Sequence, residues 1–124
     1  MRVSRERFEE LAFDIAGELL AKLPPDLRAE AETVILEIEG RPTSEQAPGE
    51  GRTLLGLYEG VPLVERHADS VLLQPDRITL FQQPLQALAR TEVELRRQMR
   101  KTLIHELGHF FGFAEDELEK RGWA

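Results

Sequence analysis

The chain has 124 residues and a mass of 14.2 kDa, the size of one ordinary domain spanning residues 1–124. It contains no cysteine, which excludes disulfides, a thiolate nucleophile and cysteine-based zinc or iron–sulfur centres. Sixteen basic against 23 acidic residues leave a net charge of −7, so the basic footprint of a general nucleic-acid binder is missing.

Ser4 is a fitting N-cap, and Phe8, Leu11, Ala12, Ile15 and Leu19 follow at helical spacing, which predicts an amphipathic helix over residues 5–22. Glu and Asp run through this apolar pattern, so it is not the uncharged core of a secretory signal. No apolar run anywhere approaches the roughly eighteen residues of a membrane span, and a soluble, cytoplasmic protein without a membrane partner is expected. Pro24 and Pro25 stop the helix, and residues 26–32 suit a short helical turn. Residues 33–39 (TVILEIE) are rich in β-branched side chains and read as a strand. Residues 40–52 hold Gly and Pro but no large apolar side chain, which predicts a flexible loop. Residues 53–58 (TLLGLY) read as a second strand and 59–70 as irregular. Residues 71–73 and 77–81 flank a Gln74-Pro75-Asp76 turn signal and are expected to pair as a hairpin. Residues 84–90 suit a short helix.

The last long element is the best defined. Thr91 and Glu94 have the spacing of a capping box. Leu95, Met99, Leu103, Leu107, Phe110 and Phe111 then recur at helical spacing, and Gly112 stands where a left-handed C-terminal cap is needed. One further short helix is expected in the tail. Within the long helix lies His105-Glu106-Leu107-Gly108-His109. Histidines four residues apart share one helix face, so both imidazoles can reach a single zinc-like ion at about 2.0–2.1 Å. Glu106, one residue on, is placed to take a proton from a water that the ion acidifies. With 3 His and 18 Glu in the chain, such an HExxH pattern arises by chance in on the order of one in a hundred sequences of this composition. The competing view makes both His ordinary packing residues and Glu106 a surface charge. Gly112 lets the chain turn back, and Glu115 and Asp116 offer carboxylates where a third ligand is needed.

These residues carry a resemblance. HELGHFFG followed by an acidic residue looks like the extended HExxHxxG motif of the metzincin side of the zincin peptidases. LLGLYEGVPLVER, LQPDRITLFQQPL and HELGHFFGFAEDELEKRGW together resemble the small bacterial minimal-zincin metallopeptidases, well over residues 53–124 and loosely before them. The resemblance implies an α+β fold, a small β-sheet packed against an N-terminal helix and the C-terminal HExxH helix. It also implies one zinc ion held by His105 and His109, with Glu106 as general base. The third-ligand position falls on Glu115, with Asp116 as the alternative. The family more often has Asp there and metzincins have His. The Met-containing turn of metzincins is missing, since none of the fifteen residues after His109 is Met. Met99 sits at a core position of the helix.

Other residues have two readings each. His67 either polarises a substrate carbonyl or is a plain loop histidine. Arg66 either binds a substrate carboxylate or fixes its loop through an ion pair. Tyr58 either stabilises an oxyanion or packs on a strand. Arg96, Arg97, Arg100 and Lys101 form a basic cluster, and Glu92 and Glu94 stand at the right spacing to pair with Arg96 and Arg97 along the same helix. The expected activity is zinc-dependent hydrolysis of a peptide or protein substrate, which strand 77–81 would receive at a free edge. The alternative is a weakly active or inactive zincin-like metal-binding module that acts through a protein partner. Glu106 favours the enzyme, because a scaffold has no need of a carboxylate there.

Overall fold

A computed structural model describes residues 1–47, 54–66, 75–113 and 115–120. The helices are α1 (Arg5–Ala21), α2 (Pro25–Ala31), α3 (Gln82–Ala87), α4 (Glu92–Phe111) and α5 (Glu115–Lys120). The strands are β1 (Ile35–Glu39), β2 (Gly56–Glu59) and β3 (Arg77–Phe81), with a 3-10 turn at Leu63–Glu65. This is the α+β arrangement expected. Segment 71–73 of the expected hairpin and the end of the 40–52 loop lie outside the described residues. Before that point, the loop folds back over Thr43–Gln46, where the Gln46 N–H donates to the Thr43 carbonyl at 3.1 Å.

Local rules account for the element ends. Ser4 Oγ accepts the Arg7 N–H at 3.0 Å and starts α1, whose buried residues are the five apolar positions read from the spacing. α3 begins two residues before Pro84, and a proline is tolerated there because first-turn N–H groups have no partner inside the helix. Thr91 Oγ1 accepts the Glu94 N–H at 3.2 Å, as a capping box requires. The return bond differs from the motif: Glu94 Oε2 accepts the Arg90 N–H at 2.7 Å instead of the N–H of the cap residue. At the other end, Gly112 has φ 78° and the Phe113 N–H donates to the Gly108 carbonyl at 2.8 Å, which closes a Schellman cap. A side chain on Gly112 would also stand 2.4 Å from Val64 Cγ2, so the 3-10 turn packs directly on this cap.

The sheet order is β1-β3-β2, with β1 parallel and β2 antiparallel to β3. β3 is therefore the central strand, which corrects the expectation that residues 77–81 offer a free edge. Four of its five residues are buried, as a strand paired on both sides requires. Leu80, Ile78 and Ile38 join Phe8, Leu11, Ile15, Leu95, Met99, Leu103, Leu107 and Phe110 in one core, so α1 and α4 pack together against the sheet. The ion pairs of α4 also depart from the sequence pattern. Glu92 pairs with Arg7 and Arg96 with Glu18, both on α1, so the exposed charges bridge two helices instead of running along one. Among the described residues, no helix is long and apolar enough to cross a membrane.

Candidate metal centre

α4 presents His105 and His109 on one exposed face, as four-residue spacing dictates. Their ring centroids are 4.5 Å apart with planes inclined at 66°. Glu106 lies between them but is turned inward, with 7% of its side chain exposed against 51% for His109. One ligand atom from each of the three residues falls within 4.8 Å of the others. Two ligands about 2.1 Å from a tetrahedral ion stand about 3.4 Å apart, so rotation of the exposed imidazoles closes the remaining gap. Two imidazoles with an adjacent carboxylate are donors that suit zinc. The residues present thus fit a divalent ion.

The Glu106 carboxylate is held in place. Its Oε1 accepts the Tyr58 N–H at 2.9 Å and lies 3.2 Å from His109 Nδ1. The strand geometry explains why that N–H is available. Phe81 N–H donates to the Leu55 carbonyl at 3.0 Å, so alternate residues of the strand bond to β3, and the peptide groups of Gly56 and Tyr58 point away from β3, which leaves the Tyr58 N–H free to meet Glu106 of α4. Gly56 permits the close approach. A Cβ there would stand 2.6 Å from Thr102 Cγ2 and 3.5 Å from Glu106 Cγ. A glycine inside an apolar strand pattern is a signal of close backbone approach that the sequence already carried.

β2 is itself anchored by a buried polar group that the sequence did not reveal. Asp76 is 3% exposed. It accepts the Tyr58 hydroxyl at 2.7 Å and pairs with Arg66. Arg66 also donates to the Val61 carbonyl at 2.8 Å and lies 5.6 Å over the Phe110 ring. Gly60 completes the group: at φ 155° its missing Cβ would sit 2.1 Å from Asp76 Oδ1. Of the two readings of Arg66, these contacts fit the ion pair that fixes a loop. The Tyr58 hydroxyl is spent on Asp76, while its backbone N–H serves Glu106. His67 lies outside the described residues. Glu115 opens α5, with its backbone alone described, and Asp116 follows it on the same helix.

Burial, followed by the bond to Asp76, pushes the Tyr58 phenol well above its ordinary value. An unfolded phenol ionises near pH 10, so the stability held by the neutral form is complete below that pH and is lost as pH rises beyond it. Tyr58 is the one tyrosine of the chain, so tyrosinate absorbance reads it directly. In an alkaline titration, that absorbance is expected to appear together with unfolding. Ionisation near pH 10 in an intact fold would contradict the bond to Asp76.

A family model described as zincin-like metallopeptidase matches residues 31–123. No curated protein matches the sequence. Among solved structures, a conserved hypothetical protein from Thermo thermophilus is 23% identical, with a TM-score of 0.57 over 95% of this chain and 99% of that one. That likeness speaks to the fold. The family match, which takes in the sheet, α4 and its His-Glu-His group, speaks to descent: the chain belongs to the zincin-like metallopeptidase family.

Proposed function

We propose that the protein is a zinc-dependent peptidase. The observation that carries this reading is the His105-Glu106-His109 group, with its carboxylate fixed by the Tyr58 N–H, in a chain of the zincin-like metallopeptidase family. His105 and His109 would hold zinc, with Glu115 as third ligand and Asp116 as the competitor for that place. When bound, zinc polarises a carbonyl and lowers the pKa of a water. Glu106 takes the proton of that water and delivers it to the leaving amine. The Tyr58 N–H holds one oxygen of the inward-turned carboxylate beside His109 and leaves the second for the proton. The outward peptide groups at Gly56 supply a strand edge beside the site for an extended substrate, a role that the central strand β3 cannot fill. The test is hydrolysis of a broad peptide library by zinc-loaded protein, compared with its Glu106→Gln variant.

The third ligand has its own test. The left-handed cap at Gly112 reverses the chain just before Glu115, and the longer Glu side chain would reach back toward the two histidines. Loss of a direct ligand should weaken metal binding well beyond the roughly 10–100-fold typical of an outer partner. Glu115→Ala is therefore expected to release zinc under mild chelation, whereas Asp116→Ala weakens it modestly. A competition titration with a chromogenic chelator measures both. The reverse order would assign the ligand to Asp116, and small equal effects would exclude both.

A further inference from the structure

Beside the His-Glu-His group, between α4 and the approach to β2, lies a cavity of about 330 Å³. His105 and Glu106 form one end and Gln98 and Lys101 the other. Its floor is apolar. Leu54 and Leu55 line it from the strand side, and the Thr102 hydroxyl is turned away to donate to the Gln98 carbonyl at 2.8 Å. That leaves the Thr102 methyl facing Gly56, where a Cβ would stand only 2.6 Å from it. The missing side chain at position 56 therefore keeps the passage beside Glu106 open.

The two ends differ in charge. Lys101 is exposed and, among the described residues, pairs with no carboxylate. Arg97 and Arg100 stand on the same half of α4, so this end is positive in a chain of net charge −7. Among the described residues, the one carboxylate lining the cavity is Glu106, at the opposite end. Along the helix, Lys101 lies about 6 Å of axis before His105, a distance that one extended side chain covers. An apolar floor leading from the reacting centre to an ammonium and a side-chain amide matches a methylene stem that ends in a carboxylate.

We propose that this cavity is the side-chain pocket of the site and that it selects a carboxylate. The residue beside the cut bond carries either an acidic side chain or the chain-terminal carboxylate, paired with Lys101 and supported by Gln98. This rests on the peptidase reading above. Lys101 is a specificity residue, remote from the proton transfers.

The test measures binding, not turnover. Zinc-loaded protein is titrated with two series of amino-acid hydroxamates, one placing the variable residue before the metal-binding group and one after it. The variable residue is Glu, Gln, Leu or Lys in both series, and in the second, where its own carboxyl ends the chain, Leu is supplied both as amide and as free acid. In one series, Glu or the free acid is expected to bind about tenfold tighter than its neutral counterpart, and which of the two does so identifies the source of the carboxylate. Lys101→Met should erase this preference, and Lys101→Glu should invert it in favour of Lys, with zinc content unchanged in both. Equal binding of charged and neutral members in both series would overturn the pocket alone. So would a preference that survives Lys101→Glu. Failure of every hydroxamate to bind the zinc-loaded protein would overturn the peptidase reading and the pocket with it.

Discussion

Glu106→Gln is expected to cut peptide hydrolysis by about 10²–10⁴-fold, the usual contribution of a positioned acid–base group, while metal content stays at the wild-type level. Gln has the same shape as Glu, and its carbonyl oxygen can still accept the Tyr58 N–H that holds Glu106 at 2.9 Å. The backbone, the helix face and both histidines therefore stay where they are. What is lost is the capacity to take a proton. A wild-type rate in the Gln variant would place the base elsewhere. Loss of zinc would make Glu106 a ligand. A zinc-loaded wild type that cuts nothing in the library would favour a module acting through a protein partner.

The second large effect concerns stability. Asp76→Ala is expected to cost about 3–5 kcal/mol, the penalty for removing one partner of a buried ion pair. The Asp76 and Arg66 side chains are 4% and 17% exposed, so the Arg66 charge would remain largely out of water with the Val61 carbonyl and the Phe110 ring to meet it but no carboxylate. The Tyr58 hydroxyl would lose its acceptor as well. Urea unfolding measures the loss. As a control, Glu9→Ala removes a partner of Arg5 where both side chains are about half exposed, and about 1 kcal/mol or less is expected there. A shift for Asp76→Ala no larger than this control would mean that the buried group does not hold β2.

The parts of the fold legible in the sequence are those in which local spacing and long-range packing agree. α1 and α4 bury the residues that their periodicity selects, and their caps are set by Ser4, Thr91 and Gly112 within one turn of the helix ends. The two histidines and Glu106 were legible for the same reason, because a helix fixes their relation without help from the rest of the chain. Strand order was not. Short apolar segments look alike whether they end at an edge or in the centre, although RITLF, buried at four positions out of five, carries the mark of a central strand. The ion pairs of α4 were misplaced because a pair within one helix contributes only about 0.2–0.5 kcal/mol, and a neighbouring helix easily offers another partner. Asp76 was hidden because its partners, Arg66 and Tyr58, lie 10 and 18 residues away in segments without periodicity.

The metal centre itself is tested most directly by metal analysis of protein purified without chelator and without added metal, wild type beside His105→Ala. The expected result is about one zinc per chain in the wild type and essentially none in the variant, which loses one of the two imidazoles that hold the ion. A wild-type chain without stoichiometric metal that also fails to take up zinc would contradict it, as would stoichiometric zinc retained by His105→Ala.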